Sequence, residues 1–205
     1  MLSMMMFNIV FAETAVIVDP NSNQNTNVYI SGNGTTVINV ATPIQSGVSV
    51  NEFLEWGIDQ NNQVLNNATG IGRSYLAGIL NPNENLTPGQ EAGIIILQVN
   101  GNNRSDVTGW LESLSKDKVR VIVANSNGFY INDSGLINIS NFTATTGKIN
   151  LVDGQYVGVD TRDGSIVIGP SGFNGSSADY VNLISRVISS QGQVTSGGQL
   201  NIITG

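Results

Sequence analysis

The sequence predicts an all-β chain and, more narrowly, a solenoid of stacked parallel strands. Three features of its 205 residues carry this: the choice of aliphatic side chains, their alternation, and an excess of asparagine. Val and Ile together number 43 against 22 for Leu and Ala, a balance of stiff β-branched side chains that suits pleated strands better than helices. The same richness in β-branched residues, with only 11% charged residues, is the opposite of a disordered composition. The length fits one domain or slightly more, at about 150 residues per domain.

Taken in order, residues 1–12 form an apolar run ending in Val10 and Ala12 at signal-peptidase spacing, and read as a secretory signal peptide. Nothing else approaches the ~20 apolar residues of a membrane-spanning helix. Beyond it come short period-two runs. They are Val28 with Ile30, Val119 with Val121 and Val123, Ile137 with Ile139, Ile149 with Leu151, Val157 with Val159, Ile166 with Ile168, and Leu200 with Ile202. Each reads as a half-buried strand. Between them Asn33-Gly34, Asn127-Gly128, Asp153-Gly154, Asp163-Gly164 and Asn174-Gly175 offer turn chemistry, because these residues tolerate positive φ. Residues 178–188 carry helical spacing at Val181, Ile184 and Ile188, but their β-branched content favours strand. A short helix over 110–118 is the other candidate, weakened by Gly109 and two serines.

Two architectures make such a pattern: a sandwich or barrel of hairpins, and a parallel solenoid. The 27 asparagines favour the solenoid. Equivalent positions of successive coils lie directly above one another there, so charges would meet like charges whereas Asn amides form ladders of hydrogen bonds. At roughly 20 residues per coil and about 4.8 Å per rung, residues 13–205 would stack to about 45 Å.

The chain has no Cys and no His. That excludes disulfides, thiolate nucleophiles, imidazole bases and the common zinc and haem ligand sets. A net charge of −7 with eight cations repels phosphate backbones and argues against nucleic acid as a partner. The acids of Asp160-Thr161-Arg162-Asp163-Gly164 are the nearest thing to a reactive group. A turn with a local ion pair explains them as well, and no paired acid is assigned. Gly32-Asn33-Gly34 and Gly70-Ile71-Gly72 lack the third glycine, following helix and downstream acid of a dinucleotide fingerprint. No catalytic residue, metal ligand or cofactor is expected.

A chain-long constellation is more specific. Val37-Ile38-Asn39-Val40-Ala41-Thr42-Pro43 precedes Gly47-Val48-Ser49-Val50-Asn51-Glu52-Phe53 and Gln63-Val64-Leu65-Asn66-Asn67-Ala68. Gly93-Ile94-Ile95-Ile96-Leu97-Gln98-Val99, Gly109-Trp110-Leu111-Glu112 and Val121-Ile122-Val123-Ala124-Asn125-Ser126-Asn127-Gly128-Phe129 follow. Residues 180–187 and 197–202 continue the series. In this order and spacing, over about residues 28–205, the chain resembles the amino-terminal secretion domain of two-partner secretion exoproteins. That group contains filamentous haemagglutinin, haemolysins and contact-dependent growth-inhibition toxins. Its two Asn-Pro-Asn motifs are matched in part by Asn83-Glu84-Asn85-Leu86 and Asn125-Ser126-Asn127-Gly128, with Glu84 and Ser126 in the proline positions. Asn83, Asn85, Leu86, Asn125, Asn127 and Gly128 are therefore the site candidates, either touching a partner or shaping turns.

The resemblance implies a right-handed parallel β-helix with an N-terminal cap of extra strands. It implies a non-enzymatic domain over 13–205 of a much longer exoprotein. Periplasmic domains of a dedicated outer-membrane barrel would recognise it, and it would fold outside a Gram-negative-type cell, after crossing the periplasm, to template the remaining β-helix. The mature chain would have no integral membrane segment. The first alternative is an adhesin module binding carbohydrate or protein on a host-cell or neighbouring-cell surface, with Trp110 or Tyr130 as contact aromatics. The second is a β-helical polysaccharide lyase or hydrolase using Asp160 and Asp163.

Overall fold

The structure, a computed structural model, describes residues 16–44, 46–161 and 163–205. The expected signal segment and Arg162 lie outside the described residues. The described elements are all strands. They form the three long faces of a parallel β-helix, with two hairpins applied to its outside.

The first face stacks β1 (Ile17–Val18), β4 (Val48–Glu55), β8 (Ile94–Val99), β11 (Val119–Asn125), β14 (Ile139–Thr145), β19 (Tyr180–Ile184) and β22 (Gln199–Ile203). The second stacks β2 (Asn27–Ile30), β3 (Thr36–Asn39), β5 (Gln63–Asn66), β10 (Trp110–Leu114), β13 (Ser134–Ile137), β18 (Phe173–Gly175) and β21 (Val194–Ser196). The third is shorter: β9 (Ser105–Val107), β12 (Phe129–Ile131), β17 (Ser165–Ile168) and β20 (Val187–Ser190). All rungs pair in parallel except at the start, where β1 runs antiparallel to β4 and β2 antiparallel to β3. These two strands are the expected N-terminal cap.

The interior is one continuous apolar column. Ile95, Leu97, Val121, Val123, Phe142, Ala144, Val181 and Leu183 enter it from the first face, and Ile38, Leu65, Leu111, Leu136 and Phe173 from the second. Period-two alternation puts every second residue into this column. The runs that do not alternate have a separate cause. Val48, Ile96 and Ile122 point outward yet are buried, because hairpin β15 (Gly147–Val152) and β16 (Gln155–Thr161) lays Ile149 and Tyr156 over them. Likewise β6 (Gly72–Ser74) and β7 (Gly78–Leu80) cover Val37, Val64 and Leu114 of the second face with Ala77 and Leu80. A strand covered on both sides reads as a continuous apolar run, as Ile94-Ile95-Ile96-Leu97 does.

Several expectations are corrected. Residues 110–118 contain strand β10, not a helix: Leu111 enters the core while the backbone pairs with β5 on one side and β13 on the other. Ile137 and Ile139 do not share a strand. The chain turns between them at Asn138, whose φ is 57° and whose amide donates to the carbonyls of Ser113 and Ser115. Asn174-Gly175 ends β18 and opens the turn that follows it, with the Ala178 N–H donating to the Gly175 carbonyl at 2.9 Å, but it does so without a positive φ. A Cβ at Gly175 would approach the Thr195 carbonyl oxygen to 2.5 Å, so close packing of the next rung, not positive φ, explains that glycine. The runs at Ile149 and Val157 are the applied hairpin, not rungs. The hairpins remove chain from the stack, so seven rungs at about 4.8 Å span about 29 Å, less than the expected length. Residues 178–188 are extended, as predicted, in β19 and the start of β20.

Candidate functional site: two buried asparagine turns

Strand β11 leaves the first face at Asn125, and the chain must bend sharply to start β12. Asn125 is fully buried, and its Oδ1 accepts the backbone N–H of Asn127 at 2.9 Å, while the Gly128 N–H closes the turn on the Asn125 carbonyl at 3.0 Å. Gly128 takes φ 101°, and a Cβ there would stand 2.5 Å from the Ser165 carbonyl oxygen of the next coil. The side-chain amide of Asn125 reaches to the preceding coil, donating to the Asn103 carbonyl and the Ser105 hydroxyl, both at 2.9 Å. Asn127 donates to the Gly101 carbonyl at 2.8 Å. One motif therefore makes the corner and fastens it to the coil before.

Asn83 repeats the geometry. Its Oδ1 accepts the Asn85 N–H at 2.9 Å, and Leu86 N–H meets the Asn83 carbonyl at 3.1 Å. The Asn83 amide, also fully buried, donates to the carbonyls of Val40 and Asn66 at 2.9 and 2.8 Å. Asn85 donates to the Asn25 carbonyl at 2.8 Å, joining the motif to the cap, and Leu86 sits in the main core. Sequence reading passed over Asn81-Pro82-Asn83, an unbroken Asn-Pro-Asn. The turn equivalent to Asn125 nevertheless begins at Asn83, since Asn81 and Pro82 are exposed and precede it. Glu84 and Ser126 occupy the second position of their turns and are exposed. Pro is favoured at that position, but most residues are compatible with it.

Burial divides the candidates. Asn83, Leu86, Asn125 and Gly128 are buried, Asn85 is half-buried, and Asn127 is exposed. A third structural amide was not singled out from the sequence: Asn67 accepts the Ala92 N–H and donates to the Ala92 carbonyl and the Ser115 hydroxyl. Its signal was a polar residue within a run that otherwise reads as buried strand. The acids named earlier are separated. Asp160 lies on the applied hairpin opposite Lys148, and Asp163 is an exposed ion-pair partner of Arg186 at 3.2 Å. Tyr130 is half-buried, with the Arg104 guanidinium 5.4 Å above its ring.

The capped parallel stack with corners built from asparagine turns places the chain in the class of β-solenoids, and comparison with known proteins gives the particular family. The profile of the TPS secretion domain matches residues 15–205. The chain belongs to that family. It is 42% identical over 164 residues to the 16S rRNA endonuclease CdiA of Enterobacter cloacae, covering 79% of this chain and 5% of that protein. It is 34% identical over 171 residues to the filamentous hemagglutinin of Bordetella pertussis, covering 83% and 5% respectively. The crystal structure of the filamentous hemagglutinin secretion domain superposes with a TM-score of 0.84 at 30% identity, over 93% of this chain and 63% of that one. The chain thus spans about a twentieth of the length of these two relatives.

Proposed function

We propose that this domain is the non-enzymatic export signal of a large exoprotein. A dedicated outer-membrane barrel recognises it through periplasmic domains, and it reaches the cell surface or the medium. There its folded coils serve as the first rungs for the β-helix that follows. The family match over residues 15–205 carries the reading. The asymmetric ends support it physically. Antiparallel β1 and β2 occupy the starting edge, so a further parallel coil can add only at the β22 edge, where Leu200, Ile202 and Ile203 are exposed. In this reading the motif asparagines act mainly as corner locks, and only Asn127 and part of Asn85 are available to a partner.

Expressing residues 13–205 behind a secretory signal peptide, with and without a cognate barrel, and measuring export tests the reading. Export should require the barrel, and barrel-independent export refutes it. Asn127→Ala should export normally and keep its β-sheet circular dichroism. An export-defective but well-folded Asn127→Ala protein would overturn the corner-lock assignment.

A further inference from the structure

We infer that the outer surface of the second face, in its later coils, is a binding groove for a neutral oligosaccharide. The groove holds about 400 Å3 and is lined by Trp110, Asp133, Asn174, Ser176, Gln193 and Thr195, among others. Its floor follows the rungs, since Trp110 pairs with Gly135, Ser134-Gly135 with Phe173-Asn174, and Asn174 with Thr195. Gly135 is the device that makes the platform. A Cβ there would lie 2.6 Å from the Trp110 ring, so only glycine lets the indole rest on the backbone of the next rung. Trp110 is further held by its backbone N–H, which donates to Asn62 Oδ1 at 2.8 Å. The indole remains half-exposed, and its Nε1–H has no protein partner among the described residues.

The polar groups beside this platform are oriented before any ligand arrives. Asn174 Oδ1 accepts the Ser176 N–H at 3.1 Å, the Ser176 hydroxyl at 2.6 Å and the Thr195 hydroxyl at 3.4 Å. That saturates the acceptor end and leaves both amide protons free to donate among the described residues. Asp133 is exposed and held at φ 48°, giving a carboxylate that can accept from two adjacent hydroxyls. Gln193 is exposed as well. A flat aromatic surface offers its negative face to the slightly positive C–H face of a pyranose. Fixed donors and a bidentate acceptor at its edge match the ring's hydroxyls. The Asp133 carboxylate, with no cation among the described lining residues, and the net charge of −7 disfavour sulfated or sialylated sugars and nucleic acid.

The test is a printed array of neutral, sialylated and sulfated oligosaccharides probed with the folded domain, followed by titration of any retained neutral sugar. Tryptophan fluorescence reports it directly, because the other tryptophan, Trp56, is buried in the core. At least one neutral oligosaccharide should bind and perturb fluorescence. Asn174→Ala and Asp133→Asn should each weaken binding about tenfold, equivalent to about 1.4 kcal/mol, and Trp110→Ala should abolish it. Asn174 and Asp133 are exposed, so these two variants keep the test valid even if Trp110→Ala misfolds. Retention of only anionic sugars, retention of none, or affinity unchanged in both exposed variants overturns the proposal. Export is not required for this binding, so the outcome is independent of the secretion reading.

Discussion

Substituting Asn125 by Ala isolates what a corner lock contributes. The change removes two donated hydrogen bonds, to the Asn103 carbonyl and the Ser105 hydroxyl, and the accepted bond from the Asn127 N–H, together with a second accepted bond from the exposed Asn127 side-chain amide, which water can replace at little cost. At about 1 kcal/mol for each bond lost, the direct loss is about 3 kcal/mol. Ser105 is fully buried, and without the amide its hydroxyl has no partner, which adds a desolvation cost of about 1 kcal/mol or more. A total near 4 kcal/mol is a large share of the ~5–15 kcal/mol stability of a typical domain. It should lower the melting temperature by about 10 °C at this chain length. Urea unfolding followed by circular dichroism measures it. Asn127→Ala, which removes exposed bonds, should cost about 1 kcal/mol or less. The double variant Asn125→Ala, Ser105→Ala should be less destabilised than the sum of the single changes, because the orphaned hydroxyl is then gone. A loss below about 1 kcal/mol for Asn125→Ala, or strict additivity in the cycle, would refute the corner-lock reasoning.

Three further outcomes follow from particular contacts. Glu112 is buried and its carboxylate accepts the Ser74 hydroxyl at 2.6 Å and the Tyr75 and Leu76 N–H groups at 2.9 Å; Glu112→Ala should therefore release hairpin β6–β7, speeding amide exchange at Tyr75 and Leu76 more than tenfold while the β11 amides stay protected. Asn201, Asn182 and Asn141 form an amide ladder with links of 2.8 and 2.9 Å. Asn182→Asp replaces the donor facing the Asn141 oxygen with an acceptor, and should cost about 1–2 kcal/mol by urea unfolding at pH 7. Asp19 is held below its ordinary value of 3.8, first by the Asn100 amide and then by the Asn21 N–H. Because its folded value is depressed, its contribution is fully present above pH 3.8 and is lost as pH falls through the lower folded value. Asp19→Asn should flatten that acid limb of the melting curve, and an unchanged limb would exclude Asp19 as its source.

The stacking of rungs was legible because it rests on local rules. Val121, Val123, Val181 and Leu183 alternate into the column, and Asn182 sits between two of them where it can pair with its neighbours in adjacent coils. The hairpins were not legible. Ile149, Leu151, Val157 and Val159 alternate as a rung would, and nothing in that pattern says that the partner strand is antiparallel and outside the column. Residues 110–118 were ambiguous because Ser113 and Ser115 suit neither state strongly, and pairing on both sides decided for strand. The asparagine motifs were found, but their burial was not, since the sequence cannot show that Asn125 points back to Asn103 instead of outward.

The two hairpins also decide which surfaces can meet another molecule. Hairpin β15–β16 covers part of the first face, and β6–β7 covers the early coils of the second. Cover of this kind turns outward-facing aliphatics such as Ile122 from exposed to fully buried, a gain of about 1.5–3 kcal/mol for each such side chain. Where cover is missing, the outward positions change in character: Trp110, Asn174 and Thr195 on the late second face, Asp106 and Tyr130 on the third. Those residues carry hydrogen-bonding groups and aromatic planes instead of aliphatic bulk, so they tolerate water until something displaces it. Stability and recognition are thus assigned to different stretches of one outer surface. A change that removes a hairpin is expected to unsettle the fold, whereas a change on the bare stretches is expected to alter only what the domain touches.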